Sequence, residues 1–154
     1  MEESTGSSIR VGIIGTGRHG TRYANHIVHD IEGLELAAIS RRSADGRMQA
    51  LCWQCAWYRE WPQLVGDHQV GAVIAVVPPA LNLEIARACA ALGKPLLIEK
   101  PLAVSGAAAA EIVDLFARRD LGLTVGQTLR YNTIILGLRQ RLPSLGRLFS
   151  FSAN

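Results

Sequence analysis

Lysine is nearly missing from this 154-residue chain: of its sixteen basic residues only Lys94 and Lys100 are lysines, the rest being arginine. Cysteine is also scarce. Three cysteines, an odd number in a chain without an export signal, argue against a disulfide framework and for a reducing compartment. No apolar run approaches the roughly 18 residues of a membrane span, and the polar residues 1–8, read as a flexible tail, lack the charged-then-apolar order of a signal peptide. The expectation is a cytoplasmic domain with no membrane contact. Aromatic residues make up only 6%, and the arginines are scattered singly or in pairs (Arg41 with Arg42, Arg118 with Arg119). The net charge of +3, sixteen basic against thirteen acidic residues, is therefore not gathered into the basic, aromatic-interleaved run that nucleic acid requires. A phosphate-bearing small molecule needs only one or two such residues. What the chain does have is a 49% hydrophobic content, enough to bury a core of one ordinary domain.

Short apolar runs alternate with longer amphipathic ones. Residues 9–14, 34–40, 56–58, 72–77, 96–99 and 123–127 read as strands. Helices are expected between them at about 18–29, 43–55, 61–65, 81–92 and 105–119, the last capped by Ser105. The almost wholly apolar 72–77 suits a strand buried on both faces, ended by Pro78-Pro79. This order predicts an α/β fold of Rossmann type, a doubly wound parallel sheet with helices on both faces, over residues 9–130. Residues 131–154 break the pattern, with a helix over 133–141, a turn over 143–146 and a strand over 147–151. They read as a linker helix and the first strand of a second α/β domain.

Gly15-Thr16-Gly17-Arg18-His19-Gly20 follows the first strand and opens the first helix, the context in which a GxGxxG motif binds a dinucleotide. Gly15 permits the tight turn, Gly17 lets backbone approach a pyrophosphate, and Gly20 allows close helix packing. The helix start offers free N–H groups and a positive dipole end. His19 could approach phosphate, but the expectation is that it faces solvent or packs locally. About twenty residues on, an acid would select NAD by accepting the ribose hydroxyls. Ser40-Arg41-Arg42 stands there instead and suits the 2'-phosphate of NADP, with NAD still possible.

Leu96-Leu97-Ile98-Glu99-Lys100-Pro101 brings a charged pair to the carboxyl end of a strand, where open α/β sheets bind ligands. Lys100 reads either as a cation aimed at a substrate oxygen or as a surface lysine neutralised by Glu99. With these residues, and with Val11-Gly12-Ile13-Ile14-Gly15, Tyr58-Arg59-Glu60, Val76-Val77-Pro78-Pro79, Gly93-Lys94-Pro95, Glu99-Lys100-Pro101-Leu102 and Val125-Gly126-Gln127 through Arg130-Tyr131-Asn132, the chain resembles the glucose-fructose oxidoreductase and inositol dehydrogenase family of nicotinamide-dependent enzymes. The resemblance covers residues 9–152. It implies a cofactor domain followed by a substrate domain that mediates homo-oligomer formation, a small carbonyl or alcohol substrate, and a catalytic, substrate-binding Lys100. Pro101 would follow a cis peptide bond. The family's general acid/base histidine belongs to the second domain, and this chain has no counterpart of it. The family often has histidine where Asn82 stands here. Val77, Pro78, Pro79, Asn82, Glu99 and Gln127 are expected along the cofactor, and Arg130 beside substrate.

Other constellations carry less. Cys52 and Cys55 form CxxC and His26 and His29 form HxxH, but helical i,i+3 pairs arise from a shared face alone, so no metal is expected. Trp53, Trp57 and Trp61 recur at helical spacing and read as core or a partner surface. The leading functional reading is the NADP-binding part of an oxidoreductase transferring hydride to or from a carbonyl or secondary alcohol of a sugar, polyol or related compound. Its alternative is a stand-alone, non-catalytic nucleotide-binding regulatory or interaction module.

Overall fold

The computed structural model describes residues 8–147 and residue 150. Six parallel strands form one sheet in the order β3-β2-β1-β4-β5-β6: β1 Ile9–Ile14, β2 Leu34–Ser40, β3 Ala56–Tyr58, β4 Ala72–Ala75, β5 Leu96–Ile98 and β6 Leu123–Val125. The chain starts at the centre, runs to one edge, and crosses back to build the other half. β1 and β4 are thus the point where strand order reverses, and a crevice opens at their carboxyl ends.

Two apolar layers hold the helices. Val11, Ile13, Leu36 and Ile39 of the sheet pack with Ala24 and Ile27 of α1 (Arg18–His29) and Ala50 of α2 (Asp45–Trp53). On the opposite face, Ala38, Val73, Ala75, Leu96 and Ile98 pack with Leu64 and Val65 of α3 (Trp61–Gly66). The same layer takes in Ile85 and Cys89 of α4 (Asn82–Ala91) and Ile112 and Phe116 of α5 (Gly106–Ala117). Capping follows local chemistry: the Ala108 N–H donates to Ser105 Oγ at 3.2 Å, and Gly93, at φ +68°, ends the α4 turn.

Strand β2 departs from simple alternation. Val11 pairs with Leu36 and Gly12 with Ala38, so Ala37 is an extra residue in β2. Such a bulge turns Ala37 and Ala38 to one face and Leu36 and Ile39 to the other. Two strands are shorter than their apolar runs. The N–H of Val76 still donates to the Ile14 carbonyl, after which residues 76–78 leave the sheet and line the crevice. The tryptophan spacing is not one helical stripe: Trp53 ends α2, Trp57 lies in β3 and Trp61 begins α3. A strand, which rises further per residue than a helix, interrupts the series.

Beyond β6 a 3-10 turn (Thr128–Tyr131) leads to α6 (Thr133–Arg141), whose first N–H groups, on Ile134 and Ile135, donate to Asn132 Oδ1. None of its side chains is buried, and Ile134 is 77% exposed. The strand expected over 147–151 lies outside the described residues.

Phe116 is among the largest fully buried side chains. Phe116→Ala is expected to lower stability by about 3–5 kcal/mol, whereas Val104→Ala on the exposed surface should change it by less than about 0.5 kcal/mol. Urea midpoints measure both, and equal midpoints would mean that α5 does not close this core.

Candidate functional site

The glycine turn is held by atoms that leave no room for a side chain at two of its three glycines. Gly15 has φ +89°, and a Cβ there would collide with the Val76 carbonyl; a Cβ on Gly20 would collide with the Gly15 carbonyl. Around Gly17 the opposite holds: no atom lies within 4 Å of where its Cβ would be. That open space sits at the start of α1, where Gly17 is the N-cap and contributes no side-chain partner to the free N–H groups. A cradle of this shape and polarity fits a pyrophosphate.

Thr16 braces the turn from inside. Its hydroxyl donates to Gln49 Oε1 at 2.7 Å, and its carbonyl accepts from Gln49 Nε2 at 3.1 Å and from Arg41 Nη1 at 2.5 Å. Arg41 also donates through Nε to Ser43 Oγ and through Nη2 to Asp45 Oδ2. All three guanidinium nitrogens are thus engaged in holding the turn against α2. Arg42 differs completely: it is 72% exposed and meets Glu60 only at 3.7 Å. Arg59, 71% exposed, meets the same carboxylate at 4.0 Å. Thr16, Arg41, Arg42 and Arg59 line one cavity of about 270 Å³ with Ile14, Gly15, Gly17 and the buried Ser40. Trp61, Val77, Pro78 and Leu81 close its other side.

A second cavity continues along the crevice, lined by His19, Val76, Val77, Glu99 and Lys100. Glu99 is the buried centre of this end. Tyr23 Oη donates to its Oε1 at 2.6 Å, His19 Nε2 lies 2.8 Å from the same oxygen, and the Lys100 N–H donates to Oε2 at 3.1 Å. Gly126 leaves the space the carboxylate fills, since a Cβ there would come within 2.8 Å of Oε1. Burial pushes the Glu99 carboxyl up, but the bonds from Tyr23 and His19, the His19 charge and the Lys100 N–H together hold it below the ordinary carboxylate value. Burial, then the bond and charge of Glu99, push the Tyr23 phenol up. Lys100 itself is exposed, and the peptide bond joining it to Pro101 is cis.

Several expected contacts have other geometry. Asn82 is buried, and its Nδ2 donates to the carbonyls of Pro101 at 3.2 Å and Leu102 at 3.0 Å, so it holds the turn after Lys100. Arg18, Pro79, Gln127 and Arg130 line neither cavity, although Gln127 and Arg130 follow β6, next to β5, the strand that leads to Lys100. His19 bonds to Glu99 across 80 residues of sequence and does not simply face solvent. Lys94 is structural: its Nζ donates to the Asp67 carbonyl at 2.6 Å, and burial lowers its pKa. Among the described residues no group of three or more His, Cys, Asp or Glu is placed to hold a metal ion. Sequence alone does not mark Tyr23, Arg59 and Trp61 as site residues; Arg59 follows the short β3, and its one signal is membership of the Tyr58-Arg59-Glu60 motif.

Two substitutions test this geometry. Gly17→Ala is expected to fold as the wild type does, because its Cβ meets nothing, yet to weaken dinucleotide binding at least tenfold by occupying the phosphate approach. Undiminished binding, read by fluorescence titration, would remove the turn from the site. Tyr23→Phe should cost about 1.5–3 kcal/mol at pH 7, the range for a hydrogen bond to a charged group. Because the folded pKa of Glu99 is depressed, its contribution is full above the unfolded carboxylate value and lost as pH falls through the folded one. The difference between wild type and variant should therefore shrink on acidification, and a urea-measured difference unchanged at pH 3 would count against Glu99 as the partner.

The comparisons with known proteins agree with this geometry. Residues 9–127 match the Gfo/Idh/MocA model, described as an oxidoreductase family with an NAD-binding Rossmann fold. Inositol 2-dehydrogenase 1 of Saccharopolyspora erythraea is 33% identical over 111 residues, covering 69% of this chain and 32% of that protein. Inositol 2-dehydrogenase of Agrobacterium fabrum is 29% identical over 141 residues, covering 89% and 42%. In fold, the chain is similar to scyllo-inositol dehydrogenase from Lactobacillus casei, solved with NAD(H) and scyllo-inositol bound. That match has a TM-score of 0.84 at 20% identity and covers 90% of this chain and 42% of that one. The chain thus spans well under half the length of these relatives. Six parallel strands in this order, a glycine turn open at Gly17 and a family match over most of its length place the chain in the Gfo/Idh/MocA oxidoreductase family, as its NAD-binding Rossmann domain.

Proposed function

We propose that this chain is the NADP-binding part of an oxidoreductase that moves a hydride between nicotinamide and a carbonyl or secondary alcohol carbon of a polyol, sugar or related small molecule. The observation that carries the reading is the continuous crevice: a phosphate cradle at Gly17 with an arginine-lined cavity on one side and the Lys100 cavity on the other. The names of its relatives support a polyol substrate. When bound, the nicotinamide supplies the hydride chemistry. Residues 9–130 hold the cofactor, with the start of α1 on the pyrophosphate and Val77 and Pro78 along its length. Lys100 is the catalytic residue offered here: an exposed ammonium at the carboxyl end of β5 can hydrogen-bond a substrate oxygen and stabilise the alkoxide that develops as hydride moves. Glu99, bonded to α1 side chains and to the Lys100 backbone, fixes that turn without its carboxylate covering the crevice.

In this reading residues 131–154 begin a substrate domain, which supplies the acid/base group and covers the nicotinamide, and the exposed apolar residues of α6 serve assembly with that domain or a second copy. Gln127 and Arg130 stand on the way into it. Among the described residues no helix is long and apolar enough to cross a membrane, which suits a cytoplasmic enzyme acting on a small polar substrate.

The preference for NADP rests on chemistry at the end of β2. Ser40 is buried there, the adjoining residues are arginines, and Glu60 only loosely compensates two exposed guanidiniums. Because Arg41 is engaged with Thr16, Ser43 and Asp45, the 2'-phosphate falls to Arg42 and Arg59. Titration followed by the fluorescence of Trp61, which lines the cavity, should show NADP binding at least tenfold more tightly than NAD. Arg42→Asp with Arg59→Asp should abolish that preference, while Arg41→Asp should chiefly lower stability. Equal affinities in the wild type would overturn the NADP assignment, and binding of neither would overturn the cofactor reading.

A further inference from the structure

The residues that follow β2 and β3 leave the sheet side by side. Ser40 pairs with Tyr58 in the parallel register, and the Arg41 N–H donates to the Tyr58 carbonyl at 3.1 Å, so Arg41 and Arg42 on one strand end lie beside Arg59 and Glu60 on the next. Three cations and one acid therefore meet where the 2'-phosphate is assigned. Arg41 is already matched by Asp45, at 2.8 Å. What remains is Glu60 with two guanidiniums.

The carboxylate divides itself between them. Its Oε2 lies 3.7 Å from Arg42 Nε and its Oε1 4.0 Å from Arg59 Nε, so each oxygen faces one arginine and neither contact is a hydrogen bond. Glu60 is also the N-cap of α3, with extended backbone at φ −111° and ψ 133°, yet its side chain accepts no bond from the helix start. Capping does not hold it. Arg42 and Arg59 line the cavity and Glu60 does not, and among the described residues neither guanidinium donates a hydrogen bond. Both planar forks are open to an anion, with one carboxylate close to each. Exposed ion pairs of this length order their side chains only weakly. Their charge acts at a distance all the same. A phosphate monoester carries a charge of roughly −1.5 to −2 at neutral pH and is repelled by a carboxylate beside the arginines that bind it, whereas the 2'-hydroxyl of NAD is uncharged.

We propose that Glu60 is a specificity-determining residue that restrains the preference for NADP. It is the counter-ion that the 2'-phosphate displaces from Arg42 and Arg59, and its charge opposes NADP while leaving NAD almost untouched. The gap between the two cofactors is thereby narrower than two free arginines would make it. The inference deepens the NADP reading above and rests on it.

The test is the ratio of dissociation constants, NAD over NADP, measured on this chain by fluorescence titration. Glu60→Gln, nearly the same shape without the charge, should bind NADP about 3- to 10-fold more tightly than wild type and NAD within about twofold of it, the scale for one unit charge at a partly screened site. Glu60→Ala should raise the ratio as well, and since Glu60 is half exposed neither change opens a gap in the core. Glu32→Gln removes the same charge from the exposed loop before β2, at the opposite end of the sheet, and should leave the ratio unchanged. Added salt should shrink the difference between wild type and Glu60→Gln. A ratio unchanged in Glu60→Gln, or NADP binding weakened by it, would overturn this inference alone, the second result meaning that Glu60 supports the arginines. Equal affinities in the wild type would instead overturn the NADP assignment and this inference with it.

Discussion

The contact on which the site depends is the approach of Gly20 in α1 to the carbonyl of Gly15, closer than any side chain allows. It seats the first turn of α1 directly on the end of β1 and aims the helix N–H groups into the crevice. Thr16 is pressed inward, where Gln49 and Arg41 converge on its hydroxyl and carbonyl. In the other direction α1 carries His19 and Tyr23 over β4 to the Glu99 carboxylate at the end of β5. One backbone contact thus determines geometry at both ends of a groove that spans the sheet's point of strand reversal. A methyl group at position 20 would move both ends together.

The chain's two lysines show how burial sorts identical charges into different work. Lys94 is drawn inward, with its ammonium on the Asp67 carbonyl, while Tyr58 donates to the Asp67 carboxylate at 3.0 Å. β3, the end of α3 and the loop before β5 are tied in that cluster. The Asp67 carboxyl is held low, first by the Gln69 N–H and against its own burial, so the cluster keeps a charged acid beside a charged base. Lys100, six residues on, lies past the end of its strand, is exposed and lines the second cavity. An ammonium already hydrogen-bonded below the sheet is of no use to a substrate. An exposed one lining the second cavity stays open to solvent there.

The element order was legible because apolar runs and amphipathic segments alternate without interruption, and because the glycine motif falls between the first strand and the first helix. The Ser105 cap and the start of α6 at Thr133 follow from single residues. What could not be read has a common physical origin: it depends on atoms far apart in sequence. The bulge at Ala37 sits in a run of small and apolar residues that look alike on either face, so no periodicity marks it. From sequence Glu99 reads as a residue along the cofactor or as the counter-ion of its neighbour Lys100; its side-chain partners come from 76 and 80 residues upstream, brought there by the seating of α1. Asn82 looked like a groove residue after a double proline, yet α4 begins at that position and turns the amide inward to the Pro101 and Leu102 carbonyls.

Arg41 and Arg42 make the same argument at the smallest scale. Composition, motif and charge treat them as one feature, a basic pair where an acid would select NAD. At a strand end, successive side chains leave on opposite sides, and here that parity separates them. Arg41 points back toward Thr16, where its planar fork suits three oxygen acceptors held in fixed positions. Arg42 points away, and among the described residues its ion-pair partner is Glu60, at 3.7 Å. The bulge at Ala37 lies four residues upstream and shifts the parity of everything after it in β2. Without that extra residue the two arginines would exchange sides, and the guanidinium now free for an anion would be the one buried against the glycine turn.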